Sequence, residues 1–175
     1  AIDLGTTKIA GYLVDLGTGQ TLASAGSMNP QIAYGEDVIA RITYAMKGST
    51  EATRLSRLAV TTLNELAQSL CAQSGHAADE ISEVVIVGNT AMHHLLLGLP
   101  AGQLGVAPYL PAVSSSLDVK ARDLGLGFAT GGYVHLLPNI AGFVGADHVA
   151  MLLATGIYEA EKTVIGIDIG TNTEI

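Results

Sequence analysis

Residues 166–174 read GIDIGTNTE and residues 1–7 read AIDLGTT, so the string Ile-Asp-(Leu/Ile)-Gly-Thr occurs at both ends of the chain. Each copy is an apolar run that carries an aspartate, turns on a glycine and continues into hydroxyl-bearing residues. That layout suits a phosphate: glycine lets the backbone approach, successive N–H groups face one concavity, and hydroxyls add donors. A carboxylate beside phosphates is repelled unless a divalent cation lies between, so Asp3 and Asp168 are expected at a Mg²⁺ site, directly or through water. Gly5, Thr6, Thr7 and Lys8 in the first copy, and Gly170, Thr171 and Asn172 in the second, are expected to hold the phosphates. One copy alone reads equally as an ordinary Asp-Gly turn. Two matched copies argue for a pair of grips.

The rest of the composition narrows the class. The chain has 175 residues, 49% apolar and 14% charged, with 21 glycines. That is the profile of one globular domain rich in tight turns. A net charge of −8 argues against a nucleic-acid backbone or an anionic membrane as partner. A single cysteine, Cys71, excludes an internal disulfide and favours the cytoplasm. No apolar run approaches the roughly 20 residues of a membrane-spanning helix. The chain begins at Ala1 beside one motif and stops at Ile175 inside the other, and is therefore expected to be a fragment.

Working inward from the ends, residues 9–16 and 20–26 read as two strands joined at Gly17-Thr18-Gly19, and with the short start they make a three-stranded meander. GEDVIARITYAMKG predicts a helix with Val38, Ile39, Ile42, Ala45 and Met46 on one face and acids at its start. Leucines from Leu55 to Leu70 recur at helical spacing, predicting a long amphipathic helix over 51–74 closed by Gly75, with Cys71 in its apolar stripe. Val84 to Val87, VVIV, is a β-branched run suited to a strand buried on both faces, and it ends in Gly88-Asn89-Thr90 before a short helix over 91–97. The Pro- and Ser-rich stretch 99–116 reads as a surface crossover. YVHLLPN predicts a strand, VGADHVAMLLATG a helix and KTVIGIDIG a further strand. The alternation predicts an α/β fold with a mixed sheet, parallel in its later strands.

Gly88, Asn89 and Thr90 fall between a strand's carboxyl end and a helix N-terminus, where α/β sheets bind ligands. They are expected near the terminal phosphate or an attacking water, with a simple helix cap as the alternative. Asp147 opens the helix over VGADHVAMLLATG, where the macrodipole should hold it ionised, with plain helix capping as the alternative. His93 and His94 are adjacent and diverge on a helix, so they lean structural, as do His135 and His148.

AIDLGTT and IGIDIGTNTE resemble the two phosphate loops of the acetate kinase, sugar kinase, heat-shock chaperone and actin superfamily. The resemblance implies a ribonuclease-H-like lobe of the actin-like ATPase fold over 1–161, then the first strand and second phosphate loop of a truncated second lobe over 162–175. It implies that both loops face ATP and Mg²⁺, and that Asp147 matches the aspartate that serves sugar kinases as general base. Three longer segments, NPQIAYGEDVIARI, VGNTAMHHLLLGLP and LLPNIAGFVGADHVAMLL, are similar to the ATPase region of reductive activators of corrinoid proteins. That likeness implies an ATP-hydrolysing module coupling lobe closure to Co(II)-to-Co(I) reduction, with Asp147, Asp3 and Asp168 catalytic. The implied partners are a corrinoid protein and an upstream iron–sulfur domain carrying the cluster, with a homodimer left open. Lys8 departs from related loops, which often carry a small hydroxyl there. A small-molecule kinase and a non-enzymatic actin-like or chaperone-like assembly module use the same loops and stand as alternatives.

Overall fold

The computed structural model describes residues 1–170 and 173–174 of the chain. Strand β1 (Ile2–Leu4), β2 (Lys8–Val14) and β3 (Thr21–Met28) form the expected antiparallel meander. Its second turn is tied by the Asp15 carboxylate, which accepts from both the N–H and the hydroxyl of Thr18 at 2.7 Å. Helices α1 (Val38–Ala45) and α2 (Ser49–Ser74) follow, then β4 (Glu83–Val87) and α3 (Thr90–Leu97). After a long loop come β5 (Leu117–Lys120), β6 (Tyr133–Leu136) and α4 (Ala146–Thr155). A two-stranded ribbon, β7 (Asp168–Ile169) with β8 (Thr173–Glu174), ends the described chain.

The main sheet has six strands in the order β3-β2-β1-β4-β6-β5. Strands β1, β4 and β6 run parallel, while β2, β3 and β5 are antiparallel to their neighbours. The carboxyl ends of the three parallel strands therefore meet at one edge, with the Gly5–Thr7 turn and the Gly88–Asn89 turn side by side. This is the mixed α/β architecture that the alternation predicted.

Burial explains the register. Ile2 and Leu4, Val84 and Ile86, and Val134 and Leu136 are the buried members of their strands. Helix α2 lies across β2 and β3 and inserts Leu55, Leu63, Leu66 and Leu70, all nearly inaccessible. Each such side chain contributes roughly 1.5–3 kcal/mol of transfer free energy. Cys71 sits in the same stripe, as its spacing predicted, and is 3% exposed.

Three expectations are corrected. The face predicted for α1 is rotated: Val38 and Ile42 are buried, but Ile39 and Met46 are 48% and 62% exposed, and Arg41 is buried in their place. Strand β5 went unforeseen; its Leu117 and Val119 are only half-buried on an edge beside β6. Of the strand expected over KTVIGIDIG only Asp168–Ile169 joins a ladder among the described residues, and Val164, Ile165 and Ile167 before it are 54%, 71% and 56% exposed.

Candidate functional site

The first phosphate-loop candidate is built by a collision that only glycine avoids. A Cβ on Gly5 would strike the carbonyl of Lys8, so the β1–β2 turn can close this tightly only without a side chain. Behind the turn, Asn29 donates its Nδ2 to the Gly5 carbonyl and its backbone N–H to the Thr7 carbonyl, each at 2.9 Å. Arg41, 0% exposed, donates its Nη2 to the Thr6 carbonyl. The fully buried Gln31 takes Arg41 Nη1 at 3.2 Å and donates to the Leu55 carbonyl, tying the assembly to α2.

The second turn meets the first sideways. Asn89 caps α3 by accepting from the Met92 N–H at 3.0 Å, and it donates its Nδ2 to the Thr6 hydroxyl at 2.8 Å. The helix cap held as the alternative is present, and the same side chain ties this turn to the first loop. The Gly88 carbonyl accepts from the N–H groups of Ala146 and Asp147 at 3.0 and 3.3 Å, which docks the start of α4 onto the same turn. Gly145 makes that approach feasible, for a Cβ there would lie 2.5 Å from Asn89 Cα.

These turns, with β7, enclose a cleft of about 450 Å³. Asp3, Asp147 and Asp168 all line it, as do Gly5, Thr6, Thr7 and Lys8 from the first hairpin. Asn89 and Gly170 complete the set of expected residues that converge there. Two do not. Gly88 spends its carbonyl on α4, and Thr90, fully buried, donates its hydroxyl to the Ala141 carbonyl at 2.6 Å. Thr171 and Asn172 lie outside the described residues.

Three carboxylates facing one cleft carry an electrostatic cost. Asp3 titrates above the ordinary carboxylate range, first because the cleft walls strip water from it and then because Asp147 and Asp168 repel its charge. Asp147 is raised too, chiefly by burial. Burial thus opposes the macrodipole that was expected to favour its ionised form. Gly145 is the cap of α4, and the His148 N–H, 2.9 Å from Asp147 Oδ1, offsets the desolvation only in part.

The arrangement fits a polyphosphate with a divalent cation. Among the described residues no three His, Cys, Asp or Glu side chains close around a metal, so a cation here would take most of its oxygens from phosphate and water. That is how Mg²⁺ is usually held, by one or two carboxylates beside substrate phosphates. The like-charged aspartates supply the acceptors, and the tight Gly5 turn supplies the cradle.

Two of the histidines expected to be structural, His94 and His135, are held by bonds within the fold. His94 donates or accepts at both ring nitrogens, to the Thr90 carbonyl and the Ala112 N–H, and burial holds the His93 imidazole near a pKa of about 4. His135 bridges to Asp118 at 2.7 Å across β6 and β5. Arg41 is the participant that sequence reasoning missed. A cation on an amphipathic helix ordinarily marks the solvent face, and no local pattern distinguishes one turned inward.

Comparison with known proteins agrees along the whole chain. Residues 1–160 match the family described as the RACo middle region. The chain is 38% identical over 175 residues to the corrinoid activation enzyme RamQ of Eubacterium limosum, covering all of this chain and 29% of that protein. A solved structure of a reductive activator for corrinoid, iron–sulfur protein superposes with a TM-score of 0.96 at 38% identity, over 99% of this chain and 28% of that one. The chain therefore spans less than a third of the length of these relatives. Its mixed sheet is the ribonuclease-H-like lobe of the actin-like ATPase fold, and by the extent of the match the chain belongs to the RACo middle-region family.

Proposed function

We propose that the chain is an ATP-binding lobe of a cytoplasmic reductive activator of corrinoid proteins. Residues 1–161 form the first lobe, and residues 162–175 begin a second one that closes over the nucleotide. The observation that carries this reading is the convergence of Asp3 and Asp168, from the two matched motifs, on one cleft with Asp147. The names of the relatives supply the corrinoid side of the proposal: one is a corrinoid activation enzyme and the other a reductive activator for corrinoid, iron–sulfur protein.

In this reading Gly5, Thr6, Thr7 and Lys8 hold one side of the phosphate chain, and Gly170, Thr171 and Asn172 the other. Asp3 and Asp168 orient a divalent cation directly or through water. Mg²⁺, when bound, neutralises phosphate charge and lets these carboxylates remain ionised. Asp147, with its raised affinity for a proton, is suited to orient a water and to accept its proton. Asn89 fixes the Thr6 hydroxyl toward the same space. Electrons would come from an iron–sulfur domain elsewhere in the intact protein. ATP binding would favour a closed state in which the partner's cobalt is easier to reduce, by binding that state more tightly than the open one.

The test is ATP turnover by the full-length protein with candidate partners. Hydrolysis is expected to rise severalfold on adding its corrinoid protein and to ignore sugars and carboxylic acids. Phosphorylation of a small hydroxyl or acid substrate would replace this reading with a kinase of the same fold.

A further inference from the structure

Arg41 is the most deeply buried cation of the chain, and each of its acceptors is neutral. They are the carbonyls of Thr6 and Gly35, Gln31 Oε1 and the Met92 sulfur. No ion pair among the described residues includes it. Asp37 attracts it from the start of α1, but burial dominates and brings its pKa down to about 10, so it stays charged at neutral pH. A buried cation with no carboxylate in contact is costly, and hydrogen bonds to neutral groups offset only part of that cost. The geometry around it shows where a counter-charge would come from.

Three consecutive loop carbonyls are drawn to the buried side: Gly5 and Thr7 by Asn29, and Thr6 by Arg41. In a trans peptide the N–H of the next residue points opposite to the carbonyl. The N–H groups of Thr6, Thr7 and Lys8 are therefore turned away from these donors. Successive amides so arranged make an anion-binding concavity. The guanidinium stands directly behind it, separated from the cleft by the Thr6 peptide.

We infer that Arg41 is a positioning residue for a bound polyanion: it fixes the Thr6 peptide and supplies, through the loop, a positive charge that the anion completes. The inference deepens the proposed nucleotide site and rests on that reading for the class of anion, a polyphosphate. The charge acts at a distance, so its weight should grow with the charge of the ligand. A purely structural role would weaken all anions alike.

The experiment is calorimetric titration of the full-length protein with inorganic tripolyphosphate and with sulfate, for wild type, Arg41→Lys and Arg41→Gln. Arg41→Gln is expected to lose about tenfold in tripolyphosphate affinity and about twofold for sulfate, while Arg41→Lys stays within about threefold of wild type because it keeps the charge. Equal losses for both anions, no loss, or no binding of either anion by wild type would overturn the inference. Should Arg41→Gln fail to fold by circular dichroism, the wild type is read instead. Its Arg41 guanidinium proton resonances should move on adding tripolyphosphate while those of exposed Arg57 stay, and unmoved Arg41 signals would overturn it. Arg41-dependent tripolyphosphate binding without ATP binding would leave this inference standing and remove the nucleotide reading. ATP bound equally by wild type and Arg41→Gln would do the reverse.

Discussion

Gly145→Ala is expected to cost the protein about 1–3 kcal/mol of stability through overpacking, and the full-length protein about a hundredfold in ATP turnover. The added methyl would sit 2.5 Å from Asn89 Cα, 2.6 Å from the Gly88 carbonyl oxygen and 2.7 Å from the Asn89 carbonyl carbon. All three are backbone atoms of a turn that also caps α3 and holds the Thr6 hydroxyl, so they cannot yield cheaply. Helix α4 must withdraw instead, by about 1 Å to reach ordinary contact distance. Its first N–H bonds to Gly88 then lengthen, and Asp147 moves out of the cleft with them. Denaturant midpoints and single-turnover rates measure the two effects separately. Gly131→Ala is the matched control, because a Cβ there meets nothing within 4 Å. A Gly145→Ala protein of wild-type stability and turnover would show that the docking of α4 does not set the position of Asp147.

Asp3→Asn is expected to separate stability from activity in opposite directions. Asp3 binds its proton more tightly in the folded protein than its ordinary value of 3.8 would give. A raised carboxyl in the folded state means that the folded form carries more protons than the unfolded one over that interval. Stability from this group is then complete at low pH and is lost as pH rises from the ordinary value through the raised one. At neutral pH the wild type bears the full repulsion among Asp3, Asp147 and Asp168, whereas an asparagine does not. The variant should therefore melt about 2 °C higher at pH 7 in the absence of Mg²⁺, and the difference should vanish toward pH 3. Its ATP turnover should fall by at least about a hundredfold, since a preorganised carboxylate facing developing charge is worth that much. Adding Mg²⁺ and nucleotide should stabilise the wild type and not the variant. A variant that melts lower than wild type at pH 7 would contradict the crowded-carboxylate description.

Much of this was legible in the residues because the decisive signals are local. The leucine spacing along α2 needs only one helix and one sheet to be satisfied. The VVIV run needs only a neighbouring strand on each side, although its second face, Val85 and Val87, ends half-buried and not buried as expected. The glycine turns declare themselves because no other residue tolerates the approach that Gly5 makes to Lys8. What failed was decided by distant partners. Arg41 is buried because the Thr6 and Gly35 carbonyls and Gln31 wait for it, and none of them is its neighbour on α1. The Asn89–Thr6 bond joins residues 83 apart, so Asn89 looked like a cap alone or a ligand alone. Residues 117–120 became a strand because β6 offered a free edge, a fact about another segment. The apolar residues before Asp168 kept a strand's composition with no ladder to join among the described residues.

The lone thiol offers a clock. Cys71 is the sole cysteine of the sequence, it lies on the buried face of the long helix near its end, and burial pushes its ionisation above the usual thiol range. Cys71 lines a surface cavity beside the last turn of α2, so an alkylating reagent is expected to reach it when that turn opens. With one thiol, labelling should be monophasic and should slow with any ligand that tightens this end of the lobe, a readout of local opening that needs no engineered tag.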